Sequence, residues 1–298
     1  MIQLLAPNHW VDYELIDSGE YEKLERFGKY IIRRPEPQAV WRKSLSDTEW
    51  EASADATFRR EKGKASQDGN DKGVWTQKKN MPDQWYIDYG YKGMSLKFRL
   101  GLTSFKHVGV FPEQSENWNF IYDTITAMQK DDVKVLNLFA YTGGASIAAK
   151  SAGADVTHVD SVKQVISWSR ENMEASGLDN IRWIVEDALK FCKREVKRGK
   201  KYNGIILDPP AYGRGPDGER WILEDNISEL MSLCSDLLED KESFLILNLY
   251  SMGFSAVIAD NLIKDYFPDV TQCQYGELIV PEKSGKSLPL SVYARFKK

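Results

Sequence analysis

The sequence predicts an α/β fold: an open, mostly parallel sheet with helices on both faces, preceded by a small, mostly β N-terminal domain. Three observations lead there. From residue 133 onward, short β-rich apolar runs alternate with helical patterns, the rhythm of successive βαβ units. Three of these runs stop at acids, Asp160, Asp187 and Asp208, and ligands of open α/β sheets bind where strands end. The first 106 residues instead alternate in the β manner and are rich in aromatics.

In that N-terminal third, Tyr30-Ile31-Ile32-Arg33-Arg34-Pro35 and Trp85 to Leu100 are expected as strands. Ser66 to Gly73 is polar and contains glycine, which suggests a hairpin tip. Trp41, Trp50, Trp75, Trp85, Tyr86 and Tyr89 interleave with Arg33, Arg34, Arg42, Arg59 and Arg60. Rings and cations of this kind can stack on bases, or they can form the core and rim of a small sheet, which is the commoner use. The boundary between a domain of residues 1–106 and one of residues 107–298 is expected in the short connection over 101–108.

Val133 to Ala140 opens the main sheet, breaks at Tyr141-Thr142-Gly143-Gly144 and leads into a helix over Ala145 to Ala152. Glycine there lets backbone approach a ligand closely. The second strand, Ala154 to Val159, ends in Asp160, which can accept from both hydroxyls of a ribose or cap the next helix. The third, Ile181 to Val185, ends in Glu186-Asp187, where Asp187 can accept from an adenine amino group, cap a helix, or do both. Gly204 to Leu207 is the fourth, and Asp208-Pro209-Pro210 follows it. A prolyl peptide has no N–H and a fixed φ, so its carbonyls can face a planar substrate edge. The same triplet also reads as a strand stop and a turn. Ile227, Leu230, Met231, Cys234, Leu237 and Leu238 space as a buried helix face. Phe244 to Leu249 is the fifth strand, Ser255 to Phe267 a helix, and Gln272 to Val280 with Leu288 to Phe296 a closing antiparallel pair.

A nicotinamide enzyme would share this series, but it wants G-x-G-x-x-G. Here Gly143 and Gly144 are adjacent and the position three beyond Gly144 is Ile147. The pyrophosphate turn is therefore missing. S-adenosylmethionine carries no phosphate and needs only a loose turn, an acid for its ribose and an edge contact for adenine, so it fits better.

Val135-Leu136-Asn137-Leu138-Phe139-Ala140-Tyr141-Thr142-Gly143-Gly144, with Asp160, Asp187 and Leu207-Asp208-Pro209-Pro210, resembles the class I methyltransferases, in the branch containing bacterial large-subunit rRNA cytosine and guanine methyltransferases. Gly109-Val110-Phe111-Pro112-Glu113-Gln114 is similar to that branch's Gly-x-Phe-x-Asp-Gln segment. The resemblance spans residues 107–298. It implies a Rossmann-like, seven-stranded sheet and S-adenosylmethionine held by Phe111, Gln114, Asn137, Phe139, Tyr141, Thr142, Gly143, Asp160, Asp187 and Ala188. It further implies catalysis at Asp208, Pro209 and Pro210 on RNA, rRNA above all. Tyr212 and Arg214 are the candidate substrate contacts.

Two departures matter. Family members that methylate carbon place a cysteine just after the fifth strand to activate the ring as a thiolate adduct, whereas this chain has Asn248-Leu249-Tyr250-Ser251-Met252. A nitrogen nucleophile is expected instead. Amino-group methyltransferases often place an aromatic directly after the Pro pair, but here Ala211 precedes Tyr212.

A chain of 298 residues suffices for one large and one smaller domain. No apolar run approaches the ~20 residues of a membrane span, and Met1 to Pro7 lack the features of a signal peptide. A soluble, cytoplasmic protein is expected, with no membrane partner. Cys192, Cys234 and Cys273 form no C-x-x-C, so neither disulfides nor a metal site are expected. Residues 1–106 carry +2 and the remainder −6, which makes neither part a polycation. One helix nevertheless concentrates Lys190, Lys193, Arg194, Lys197, Arg198, Lys200 and Lys201, either an RNA-backbone contact or a solvated helix end. A small-molecule methyltransferase and a non-catalytic RNA-binding assembly factor remain the alternatives, because fold does not settle function.

Overall fold

The fold is that of a computed structural model, which describes residues 1–8, 10–60, 72–250 and 253–298. After β1 (Gln3–Leu5), the chain forms β2 (Tyr13–Gly19), β3 (Glu22–Phe27), β4 (Tyr30–Pro35), α1 (Asp47–Ser53), β5 (Ala56–Arg60) and β6 (Gly73–Gln77). Strands β2 to β6 make a five-stranded sheet in chain order, antiparallel except where β4 meets β5. α1 starts at a capping box, in which Ser46 and Glu49 satisfy each other's backbone N–H. The expected hairpin tip at 66–73 falls mostly on residues 61–71, which lie outside the described residues. β7 (Gln84–Tyr91) and β8 (Met94–Gly101) pair as a separate antiparallel hairpin.

The N-terminal aromatics form core. Trp50, Trp85 and Tyr89 are buried, while Trp41 and Trp75 pack against that core and Tyr86 alone of the six is exposed. Two of the arginines beside them are paired. Arg33 meets Glu22 at 2.6 Å, and buried Arg34 makes two hydrogen bonds to Glu25. Burial would raise the Glu25 carboxyl, but Arg34 and Lys23 hold it down to about 2.

Then follow a 3-10 turn (Pro112–Gln114), α2 (Ser115–Ala127), β9 (Lys134–Leu138), α3 (Gly144–Ser151), β10 (Asp155–Asp160), α4 (Lys163–Ala175), β11 (Arg182–Val185) and α5 (Ala188–Lys197). The chain continues through β12 (Gly204–Leu207), β13 (Tyr212–Arg214), β14 (Arg220–Ile222), α6 (Leu223–Leu237), β15 (Phe244–Leu249), α7 (Ala256–Tyr266), β16 (Gln274–Pro281) and β17 (Ser287–Lys297). The large sheet runs β11-β10-β9-β12-β15-β17-β16-β1, with β17 antiparallel to both neighbours and the remaining pairs parallel. Seven of its strands are those expected from the sequence. The eighth, β1, comes from the chain's first residues, so Gln3 to Leu5 sit with the main sheet.

The period of two along each strand divides the core. Val135, Ile206 and Ile246 face α2, α3 and the N-terminal aromatics Trp10, Trp85 and Tyr89 in one continuous cluster. Leu136, Leu138, Ile205, Leu207, Leu245 and Leu247 face α5, α6 and α7 in a second. Fully burying such a side chain is worth roughly 1.5–3 kcal/mol. The hairpin edge at β8 is covered by α4, where Ser176 and Asn172 accept from the Lys97 and Arg99 N–H groups and Trp168 donates to the Arg99 carbonyl. An edge so covered cannot template further pairing.

Four of the seven cations on and just after the basic helix, α5, meet acids. Lys190 meets Asp217 and Glu219, Lys193 meets Glu229, Arg194 meets Glu186 and Arg198 meets Glu195. This favours the solvated-face reading. No helix among the described residues is long and apolar enough to cross a membrane.

Candidate functional site

Strand order reverses between β9 and β12, since β10 and β11 lie to one side of β9 and β12 and β15 to the other. A crevice forms at such a switch point. The turn leaving β9 has Phe139, Tyr141 and Gly143 with φ of 55°, 48° and 85°. Two aromatics in the left-handed region cost on the order of 1–3 kcal/mol each, and such strain clusters at ligand sites. Hydrogen bonds hold it. Tyr141 N–H donates to Asp160 Oδ2 at 2.9 Å, Ser169 Oγ to the Tyr141 carbonyl at 2.7 Å, Thr142 Oγ1 to the Gly109 carbonyl at 2.6 Å, and Asn172 Nδ2 to the Thr142 carbonyl at 2.9 Å. Gly143 is the left-handed N-cap of α3, and a Cβ at Gly144 would lie 2.6 Å from the Trp118 ring. Both glycines are fixed by geometry and packing.

Beneath the turn, Asn137 Nδ2 donates to Ser146 Oγ, which sits 3.0 Å from His158 Nδ1. Burial pushes His158 down to about 3, so it stays neutral and serves to orient Asn137.

An open cavity of about 490 Å³ lies against this turn. It brings together Phe111, Gln114, Asn137, Phe139, Tyr141, Thr142, Gly143 and Asp208 from the sequence-derived set, with Phe98, Asn117, Trp118 and Asn248 beside them. Among its described lining residues Asp208 is the one charged group, and no Lys or Arg is present. Such a lining suits a cationic or zwitterionic ligand with aromatic and amide contacts. It offers no Lys or Arg to a diphosphate.

Asp208 is pushed up to about 7, first by burial and second by the nearby charge of Glu113. Glu113, in the 3-10 turn, is itself raised to about 7, mainly by burial, and its Oε2 has no hydrogen-bond partner. It lines a second cavity of about 330 Å³ that shares Phe111 with the first. Two desolvated carboxyls thus share the border of the two cavities. Pairs of this kind are frequent at functional sites.

The other sequence candidates lie around the cavity rather than in its lining. Asp160 spends one oxygen on Tyr141 N–H and the other on Val162 N–H, at 2.9 Å each, and burial raises its carboxyl. Asp187 caps α5 by accepting from Lys190 N–H at 2.9 Å, and Ala188 is the buried first residue of that helix. Pro209 is buried and Pro210 exposed, the Pro210 carbonyl accepting from Trp221 Nε1 at 2.7 Å. Tyr212 and Arg214 lie on β13, joined by a 3.1 Å hydrogen bond, and the β13–β14 hairpin rests Trp221 on Phe139. No cysteine lines the cavity. Cys192 and Cys234 are buried and Cys273 half-buried beside β16.

Sequence reasoning missed Asn117, Glu113 and Asn248. Asn248 lies near the end of the fifth strand, so the strand-end logic applied to Asp208 reaches it. Glu113 sits inside the segment quoted for its family likeness. Asn117 has no such signal.

The family model described as conserved hypothetical protein 95 matches residues 106–230. The crystal structure of the SAM-dependent methyltransferase from Agrobacterium tumefaciens is 37% identical, covers 99% of this chain and 93% of that chain, and superposes with a TM-score of 0.89. Ribosomal RNA large subunit methyltransferase K/L of Shewanella frigidimarina is 30% identical over 51% of this chain, and ribosomal RNA large subunit methyltransferase I of Klebsiella pneumoniae is 32% identical over 35%. The chain spans 21% and 24% of the length of those two curated relatives.

Proposed function

The chain belongs to the S-adenosylmethionine-dependent methyltransferases, and from that premise we propose that it methylates a base nitrogen in RNA, with ribosomal RNA as the substrate class. The observation that carries the reading is the cavity at the β9 and β12 strand ends. It joins the strained turn to Asp208 and contains no thiol. Bound S-adenosylmethionine supplies an electrophilic methyl on a sulfonium, and the cation-free aromatic and amide lining fits that group. In this reading Phe111, Gln114, Asn137, Phe139, Tyr141, Thr142 and Gly143 hold it, while Asp160 and Asp187 reach its ribose and adenine with lone pairs left over from their backbone contacts. A carboxylate has about four such acceptor sites, which leaves room for both uses.

Asp208 accepts an N–H of the attacking amine and stabilises the positive charge that develops on nitrogen, with the Pro209 carbonyl as a second acceptor. Positioning supplies much of the remaining rate, since methyl transfer needs an in-line approach. A carbon target would need a thiolate adduct, and none of the three cysteines is placed for one. The segment before residue 107 is assigned to substrate reading. Tyr212 and Arg214, on the hairpin beside Phe139, are assigned to the substrate approach.

The test is transfer of labelled methyl into total rRNA from a strain lacking this protein, compared with rRNA from the parent, followed by mass spectrometry of the nucleosides. An N-methylated base labelled only in the deletion-strain RNA supports the reading. Label confined to small molecules points to the small-molecule alternative, and no transfer by a folded protein to the assembly factor.

A further inference from the structure

The polarity of the cavity's amide groups is set from outside it. Arg295, on β17, is buried, and burial lowers its pKa. Its Nη1 donates to Asn117 Oδ1 at 3.0 Å and to the Glu116 carbonyl at 2.9 Å, and its Nε donates to Gln274 Oε1 at 3.0 Å. A guanidinium has donors only. Asn117 must therefore turn its oxygen to Arg295 and its Nδ2 away, which fixes an amide orientation that would otherwise have to be assigned from context. That Nδ2 donates to Gln114 Oε1 at 3.0 Å and to Asn248 Oδ1 at 2.9 Å. With both oxygens committed, Gln114 and Asn248 are left to offer their NH2 groups to the cavity that they and Asn117 line.

We propose that Arg295 is a positioning residue which, through Asn117, presents the Gln114 and Asn248 amides as donors for the α-carboxylate at the amino-acid end of the cofactor. The inference rests on the S-adenosylmethionine reading. It adds Asn248 as a binding residue and sets donors for a carboxylate beside the Asp208 acid, because the register that pairs Leu207 with Leu247 makes Asp208 and Asn248 neighbours across β12 and β15. The chain of polarity is short and wholly buried, so it is rigid, and a partly satisfied version would be costly.

Calorimetry with S-adenosylhomocysteine and with 5′-methylthioadenosine, which lacks the amino-acid end, tests it. Asn117→Asp still accepts from Arg295 but cannot donate, so Gln114 and Asn248 rotate and turn their oxygens to the cavity. Affinity for S-adenosylhomocysteine is expected to fall about tenfold to a hundredfold, the usual cost of losing hydrogen bonds to a charged group. Affinity for 5′-methylthioadenosine should stay within about twofold on the same basis, since no donor to it is lost. Asn248→Asp, read independently in case the first variant does not fold, is expected to show the same selective loss, because it sets one carboxylate against another. Arg295→Lys, which still donates to Asn117, should keep most of the selectivity that Arg295→Met loses. Equal weakening of both compounds, or unchanged S-adenosylhomocysteine binding in both Asp variants, overturns the inference. Wild-type protein that binds neither compound overturns the cofactor reading itself, and the inference with it.

Discussion

Replacing Glu113 by Gln probes the carboxyl pair that the fold holds at the border of the two cavities. Asp208 sits at about 7 for two reasons, burial first and the Glu113 charge second. If the ionised form of Asp208 accepts the substrate N–H, kcat/KM rises with pH through that value. Activity at pH 6 should then be about a tenth of the plateau, and at pH 5 about a hundredth. Glu113→Gln preserves shape and removes the like charge. The inflection should therefore move down, yet stay above the ordinary aspartate range, because burial of Asp208 is untouched. Measured at pH 6 and referred to its own plateau, the variant is more active than wild type. The assay is initial-rate methyl transfer to rRNA over pH 5 to 9 at subsaturating RNA. An inflection that stays put or moves upward refutes the coupling, and a flat profile shows that Asp208 does not titrate in turnover.

Asp208→Asn should lower turnover and Asp208→Ala should lower it more, by on the order of a hundredfold or greater, with S-adenosylhomocysteine affinity changed much less. Equal rates for all three forms would reduce Asp208 to a strand-end cap. The same Asn variant should gain stability where it loses rate. A carboxyl raised in the folded state stabilises fully below its unfolded pKa and loses that stability as pH rises through about 7, so the variant's Tm should exceed wild type at pH 8 and converge on it near pH 4. Asp160→Ala leaves the Tyr141 and Val162 N–H groups without their acceptor and should weaken S-adenosylhomocysteine binding by about 1.5 to 3 kcal/mol; unchanged affinity in calorimetry counts against the ribose assignment. A variant with Cys192, Cys234 and Cys273 all replaced by Ser or Ala should still transfer methyl, with some loss of thermal stability from the two buried positions. A covalent RNA adduct in any single-cysteine variant would overturn the nitrogen target.

The middle of the main sheet was legible in the sequence because β9, β10, β12 and β15 are covered on both faces and so read as apolar runs closed by an acid or a turn. Gly204 to Leu207 and Phe244 to Leu249 fall within their expected bounds for that reason. β1 was not legible, since three residues, two of them exposed, carry no periodicity and join the sheet through backbone pairing to β16 and a hydrogen bond from the Tyr293 hydroxyl to Gln3 Oε1. In the site, Phe111, Gln114, the Tyr141 to Gly143 turn and Asp208 carry sequence signals because strand ends and glycine turns are local features. Asn117 and Arg295 lie 178 positions apart and meet only in the folded core. A buried Asn or Arg in isolation looks like any polar residue on a helix or strand, and only its partners show what it does. Asp160 and Asp187 illustrate the converse. The sequence offered each of them a ligand and a backbone role, and the structure displays the backbone half of both, because amide groups of the chain are always present and hold the carboxylates in place whether or not a ligand is bound. Those preset carboxylates, and the left-handed turn that Asp160 supports, mean that little of the site has to reorganise on binding, which is the condition under which fixed dipoles accelerate a reaction most.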